Sequence, residues 1–252
     1  MEHIISCKNV VKTYGKGSDS QHVLDGIDME IAKGEFVSIM GPSGSGKSTL
    51  LFAVSGMDTI DGGTTSFAGR DLGSYTENQL ADLRRTQMGF VFQQPTMLRN
   101  LNILDNIILP SIRDNRKNAR MITEKARRLM KTAGILELAD REITQVSGGQ
   151  LQRAGICRGL MADPQIIFCD EPTGALNSKS AEEIMDIFTE INAEGTALML
   201  VTHDAKVAAR TERILFMSDG KIDGEMQLGK FKDRDIDGRM KKIVEKMRRI
   251  GI

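Results

Sequence analysis

The residues best suited to chemistry are Gly41, Pro42, Ser43, Gly44, Ser45, Gly46, Lys47 and Ser48, which read GPSGSGKS and run into Thr49 and the apolar stretch TLLFAV. This is the P-loop pattern. Its glycines keep Cβ atoms away, so that backbone N–H groups surround a β-phosphate, while Lys47 reaches the β- and γ-oxygens and Ser48 offers its hydroxyl to Mg²⁺. A glycine-rich turn that binds nothing is the bland alternative, and the buried strand before it and the helix after it argue against that. Two adjacent carboxylates, Asp170 and Glu171, close the run IIFC. Beside a P-loop they can divide labour: Asp170 accepts a Mg²⁺-bound water and Glu171 polarises the water that attacks the γ-phosphate. His203 follows the run ALMLV and could hydrogen-bond the γ-phosphate, sensing its presence. Gln93 follows GFVF, where its amide could ligand Mg²⁺, hold the lytic water or cap a loop.

A second stretch suits an anion. Residues 145–153 read QVSGGQLQR, in which Ser147, Gly148, Gly149 and Gln150 open a helix whose first N–H groups and positive dipole end face outward. It has no lysine of its own, and the P-loop already accounts for the phosphates of one nucleotide. Such a helix start suggests the completion of another subunit's site.

Four apolar runs must position these groups: FVSIM (36–40), GFVF (89–92), IIFC (166–169) and ALMLV (197–201). Each is continuous and of strand length, as expected for parallel strands covered on both faces. Ligands bind beyond the carboxyl ends of such strands, so the four polar tails should converge on one site. Between the second and third runs the pattern turns helical, with Ile122, Ala126, Leu129, Met130 and Ala133 at helical spacing and Gly134 as a stop. Leu151, Ala154, Cys157 and Met161 continue a helical period after Ser147 until Pro164 forbids it. A further helix is expected over 180–194, with a capping box in Ser180 and Glu183 and Gly195 as its end.

Residues 2–14 and 22–31 carry shorter, partly alternating runs joined by GKGSDSQ, an antiparallel β-layer with a flexible loop. At the other end Met240, Ile243, Val244, Met247 and Ile250 form one face of a helix, and six basic residues line the rest of 239–249. Packing on its own domain is the expectation, with a membrane-surface helix as the alternative. The fold class is therefore α/β: a P-loop NTPase core with a mostly parallel sheet, an N-terminal antiparallel β-layer and an inserted helical lobe. The chain reads as a single domain over 1–252, with its core in 1–93 and 164–225, the lobe in 94–163 and a C-terminal extension over 226–252.

At 252 residues there is no room beside this core for an accessory domain of ordinary size. The 34 basic and 34 acidic side chains cancel, which removes any overall pull toward nucleic acid or anionic membrane. Cys7, Cys157 and Cys169 lack metal-ligand spacing and sit among apolar neighbours, as small buried hydrophobes do in a reducing compartment. No apolar run approaches the roughly 20 residues needed to span a bilayer, and the N-terminus shows no signal-peptide pattern, so a soluble chain is expected.

With GPSGSGKS, SGGQ, the strand-end DE and His203 together, the chain resembles the ATP-binding subunits of ATP-binding cassette (ABC) transporters over nearly its whole length. The resemblance implies that ATP and Mg²⁺ are the cofactors and that the activity is ATP hydrolysis. It further implies that SGGQ binds the γ-phosphate of nucleotide held by a second copy's P-loop, so that Ser147, Gly148, Gly149 and Gln150 act across a head-to-tail dimer. Tyr14, in VVKTYG, matches the aromatic residue that stacks on adenine; without the resemblance it reads as an ordinary β-layer tyrosine. Gln93 and the following QPTMLRNLNILDNIILP resemble the region that docks on an integral membrane permease, which would hold the subunit at the cytoplasmic face of the cell membrane.

GFVFQ, DNIILP and DEPTGALNSKS resemble the branch of macrolide exporters, lipoprotein-release complexes and bacitracin-type peptide-resistance transporters, with SKS after GAL and the charged tail leaning toward the last. A non-transporting, ATP-gated clamp on a cell-division partner is the alternative within that branch. A soluble member acting on ribosomes or DNA would carry paired cassettes or a long coiled-coil insertion, and neither is present, so no nucleic-acid partner is expected. Two departures stand out. Asn177 occupies the place of the family's usual aspartate in the loop facing the opposite P-loop, which implies altered communication between sites with hydrolysis retained. Val146 replaces the common leucine before SGGQ, a silent exchange.

Overall fold

The computed structural model describes residues 2–15, 20–112, 115–232 and 235–251. Residues 16–19 of the expected flexible loop lie outside them. β1 (His3–Tyr14) and β2 (Gln21–Ala32) pair antiparallel from His3↔Ala32 to Tyr14↔Gln21. β3 (Phe36–Met40) runs into α1 (Lys47–Val54), and β4 (Gly62–Phe67) and β5 (Arg70–Asp71) then extend the first sheet to the order β2-β1-β4-β5. After α2 (Glu77–Gln87) comes β6 (Met88–Phe92), followed by α3 (Ile103–Ile112), α4 (Ala119–Thr132) and α5 (Gly148–Leu160). The chain continues through β7 (Ile166–Asp170), α6 (Ser178–Ala193), β8 (Ala197–Thr202) and α7 (Ala205–Ala208). It closes with β9 (Arg213–Ser218), β10 (Lys221–Gln227) and α8 (Ile236–Ile250).

The second sheet has the order β10-β9-β3-β8-β7-β6, with every pair parallel except β10 on β9. The four apolar runs of the sequence are thus four adjacent strands, β3-β8-β7-β6, whose carboxyl ends lie side by side. Their composition explains the burial. FVSIM is buried at all five positions, because the first sheet and α1 cover one face while α6 covers the other. The fold is the expected α/β type, a mostly parallel sheet with an antiparallel layer beside it.

α3, α4 and α5 share one apolar cluster around Ile103, Ile107, Ala126, Met130 and Ala154. α4 ends as its sequence dictates. Gly134 adopts φ 65°, the Gly134 and Ile135 N–H groups donate to the Lys131 and Met130 carbonyls, and Ile135 folds back into the cluster. The expected capping box of the next helix is corrected: α6 begins at Ser178, two residues early, and its cap is Asn177, whose side chain accepts from the Ser180 N–H at 2.9 Å. Asparagine outcompetes serine here because its amide oxygen reaches the N3 N–H while its own backbone stays extended.

α8 packs on the domain, with Ile243 buried against Met40, Ile214 and Phe216, a burial that stabilises by roughly 1.5–3 kcal/mol. The expectation of six basic residues on its outer side fails at Arg239, which is 4% exposed. Its guanidinium donates to the carbonyls of Ala209, Thr211, Leu228, Gly229 and Lys230. Those carbonyls come from the turn after α7 and the exit of β10, and the planar fork of an arginine is the side chain that can satisfy so many acceptors at once.

Candidate functional site

The P-loop lies where β3 enters α1, and its glycines are required by space. A Cβ on Gly41 would run into the Met217 carbonyl oxygen, and one on Gly46 would meet the Val23 carbonyl oxygen. Gly44 and Gly46 take φ 81° and 98°. The start of α1 has Gly46 as its cap and therefore no side-chain acceptor for its first N–H groups. Around this open start sit groups that lack suitable partners. Lys47 is buried, its ammonium donates to the Pro42 carbonyl at 2.6 Å, and desolvation pushes its pKa down against the pull of Glu171 and Asp170. The Ser45 hydroxyl is buried without a hydrogen-bond partner. A cradle of bare N–H groups and a desolvated ammonium fits a polyphosphate.

Asp170 and Glu171 leave the end of β7 beside it. Ser48 Oγ donates to Asp170 Oδ1 at 2.8 Å, and burial pushes the Asp170 carboxyl up, opposed by the Ser48 hydrogen bond. Two hard oxygen donors next to a phosphate cradle match the modest protein share that Mg²⁺ takes. Glu171 sits in the left-handed region with φ 44°, while its N–H still donates to the Val201 carbonyl at 3.0 Å. His203, at the end of β8, brings Nδ1 to 3.2 Å from Glu171 Oε1. A carboxylate can only accept, so Nδ1 carries the proton and Oε2 is left as the free acceptor. Gln93 lies on the other side of the same turn: a Cβ on Gly174 would meet Gln93 Nε2 at 2.9 Å and Glu171 Oε2 at 3.3 Å.

A cleft of about 460 Å³ runs from this cradle along Ser43, Gly44, Lys47, Ser48 and Thr49 to Tyr14 on β1. Tyr14 is 45% exposed and anchored from behind. Its phenol donates to Asp58 Oδ2 at 2.6 Å, and the Lys12 ammonium lies 5.2 Å from the ring centroid.

The SGGQ turn stands apart, since Ser147, Gly148, Gly149 and Gln150 do not line this cleft. Ser147 caps α5, accepting from the Gln150 N–H at 3.3 Å while Gln150 Oε1 accepts from the Ser147 N–H at 2.8 Å. The box satisfies the third N–H of the helix and leaves those of Gly148 and Gly149, which have no partner within a helix. Gly149 packs against Ser180, the residue whose N–H Asn177 caps. Behind the turn, Gln152 is buried and donates to the Phe92 carbonyl at 2.9 Å, tying α5 to the strand end that carries Gln93. Val146 packs partly buried on the α3–α4–α5 cluster, a place for an aliphatic side chain of either size.

Reading by motif found the P-loop, the carboxylates and His203, all of which converge as expected. It missed the roles of Lys12, Asp58 and Gln152, and of Asn106, whose buried amide holds the 98–102 loop through Leu98, Leu101 and Asn102. For Lys12 a signal existed: it lies two residues before Tyr14 on one strand, hence on the same face. Asp58 and Gln152 carry no such signal, because their partners are distant in the chain.

A family model for ABC transporters matches residues 24–174. YknY of Bacillus subtilis strain 168, an ABC transporter ATP-binding protein, is 45% identical over 223 residues, covering 87% of this chain and 95% of its own. The bacitracin export ATP-binding protein BceA of Halalkalibacterium halodurans is 39% identical, with 90% and 89% covered. The match to the macrolide export ATP-binding/permease protein MacB of Aggregatibacter actinomycetemcomitans, at 39% identity, takes in 89% of this chain and 35% of that longer protein. Among solved structures, the dimeric post-hydrolysis state of the cassette MJ0796 bound to ADP and Pi aligns with a TM-score of 0.81 at 37% identity, covering 90% of this chain and all of that one.

Proposed function

The chain belongs to the ABC transporter family, and from that premise we propose that it is the ATP-hydrolysing motor subunit of a transporter with a separate membrane permease, exporting or detoxifying peptide antibiotics or related amphiphiles. The observation that carries the motor reading is the convergence of Lys47, Ser48 with Asp170, and Glu171 with His203 at the ends of three adjacent strands. The antibiotic class rests on the likeness to BceA over nearly its whole length. On this reading the division is a core in 1–93 and 164–225, a helical lobe in 94–163 and an extension in 226–252.

On this reading the residues divide the work as follows. Gly41, Pro42, Ser43, Gly44, Ser45 and Gly46 present backbone N–H groups and the unpartnered Ser45 hydroxyl to the phosphates, and Lys47 moves its ammonium from the Pro42 carbonyl to the β- and γ-oxygens. Thr49 and Tyr14 line the base side. Ser48, Asp170 and Gln93 would hold Mg²⁺, which would supply charge neutralisation to the phosphates. Glu171 takes a proton from water at Oε2, while His203 holds Oε1 in place and faces the γ-phosphate. Ser147, Gly148, Gly149 and Gln150 complete the site of a second copy: the capping box leaves two glycine N–H groups open, away from their own cleft and available to a phosphate presented from outside it.

The permease-facing region is Gln93 with the segment 94–110, beside a groove lined by Arg84, Phe92, Pro110, Ser111 and Arg158, whose Arg158 donates to the Thr96 carbonyl at 2.7 Å. No helix among the described residues is long and apolar enough to cross a membrane, and attachment at the cytoplasmic face through that region is the corresponding location.

The test is Glu171→Gln in size-exclusion chromatography. With the base disabled and the cradle intact, ATP should convert the variant from monomer to a stable dimer, whereas ADP should not. A variant that binds ATP and stays monomeric overturns the shared-site reading. Co-reconstitution with the copurifying permease tests the cargo class: ATPase activity rises with a peptide antibiotic, and a flat response removes it.

A further inference from the structure

Tyr14 is held by a network that the motif-bearing residues do not include. Lys12, 6% exposed on β1, donates to Asp58 Oδ1 at 2.9 Å, to the Thr59 carbonyl and, at 3.3 Å, to Thr59 Oγ1. Asp58 in turn accepts the Tyr14 phenol at 2.6 Å and its own neighbour's N–H at 2.7 Å. Asp58 and Thr59 follow the end of α1, and the Asp58 N–H donates to the Phe52 carbonyl at 3.1 Å. The helix that starts in the phosphate cradle therefore leads into the residues that clamp the ring, and Thr49 near its start lines the same cleft as the ring.

An otherwise exposed tyrosine on a strand has no reason to spend a buried lysine and a carboxylate on its orientation. The ammonium occupies one face of the ring at 5.2 Å from the centroid, so that a flat ligand can stack on the other face alone. We propose that Lys12 and Asp58 are positioning residues for nucleotide, fixing the Tyr14 ring as a one-sided platform for the base of a nucleoside triphosphate whose phosphates lie in the P-loop.

This rests on the reading of Tyr14 as the base-stacking residue. Ordering the ring before the ligand arrives removes a cost that binding would otherwise carry. The charge state agrees. Donation to Asp58, followed by burial, pushes the Tyr14 phenol above its ordinary value. Burial alone would raise the Asp58 carboxyl, but the hydrogen bonds from Tyr14 and Lys12 outweigh it and hold it below the usual range.

The experiment measures the affinities of the full chain for ATP and for inorganic tripolyphosphate, which has phosphates and no base. Lys12→Met and Asp58→Ala should each weaken ATP about three- to tenfold, the scale of ordering one side chain on binding, with tripolyphosphate unchanged. Tyr14→Phe, which keeps the ring and removes the anchor, should show a smaller loss of the same kind and serves if the other variants do not fold. The chain has two tyrosines and no tryptophan, so in a Tyr75→Phe background ultraviolet titration reads Tyr14 alone, and Asp58→Ala should bring its ionisation down.

Equal losses for ATP and tripolyphosphate would make the network a general structural support and overturn the proposal. So would unchanged ATP affinity in Lys12→Met and Asp58→Ala alongside a loss in Tyr14→Ala, which leaves the stacking role standing. Unchanged ATP affinity in Tyr14→Ala would overturn the platform itself.

Discussion

Two helix starts in this molecule invite an anion, and they are built in opposite ways. α1 opens on Gly46, without a side-chain cap, among a desolvated lysine and an orphaned serine hydroxyl. α5 opens on Ser147 with a complete capping box and half-exposed surroundings. The first is an unfinished electrostatic arrangement, costly until a polyphosphate enters it. The second is a stable helix end in its own right, and it keeps two glycine N–H groups in reserve. On the proposed function, one half of the site captures nucleotide unaided and the other responds once nucleotide is presented.

The largest expected effect breaks the first half. Lys47→Ala should lower hydrolysis by at least about a hundredfold and weaken nucleotide binding with it, since the ammonium is the cradle's only fixed positive side chain among the lining residues. Steady-state turnover and equilibrium binding read the two losses. Ser147→Arg should lower hydrolysis by a similar factor yet leave nucleotide affinity of the isolated subunit unchanged. If both variants lose affinity alike, the two starts do not differ as described. Mixing the two inactive variants sharpens the point: a mixed dimer joins one intact cradle to one intact SGGQ turn, so turnover should partly return.

A smaller effect is expected at Asn177. Asn177→Ala removes the α6 cap and should cost about 1 kcal/mol in denaturant unfolding, while Asn177→Asp keeps the acceptor and should hold or raise stability. Because Ser180 packs on Gly149, turnover should fall in the alanine variant while nucleotide affinity holds. The smallest effect is at the thiols. Burial pushes Cys7 and Cys157 up to about 12 and raises Cys169 further from reactivity, so none should be alkylated at neutral pH until the chain is denatured.

The two halves also differed in how plainly they could be read. The P-loop was legible because each of its residue types answers a local demand: glycine where a Cβ would strike the Met217 or Val23 carbonyl, lysine and serine one helical step inside. The four strands were legible because burial leaves them almost wholly apolar, with Ser38 the exception, its hydroxyl paired with that of Thr211 at 3.0 Å. β9 carries an equally apolar buried run, Ile214–Met217, but no chemical tail that drew notice to it, and β10 alternates exposed and half-buried positions with glycine and charge in its middle. Arg239 was misplaced because helical periodicity knows the face of a residue but not the carbonyls waiting there. Asn177 was read as a lost charge, and its work as a cap appeared once α6 had a defined start. Within the Lys12–Asp58–Tyr14 cluster, Asp58 lies 46 and 44 residues from its two partners, a distance at which sequence pattern is silent.

Glu171 holds a left-handed backbone that its side chain disfavours, a conformation costing an ordinary residue on the order of 1–2 kcal/mol and glycine almost nothing. Heat tolerance and turnover therefore select against each other at a single codon. A screen that rewards melting temperature alone would drift toward glycine there, and the sturdier protein it delivered would have lost the carboxylate proposed as its base.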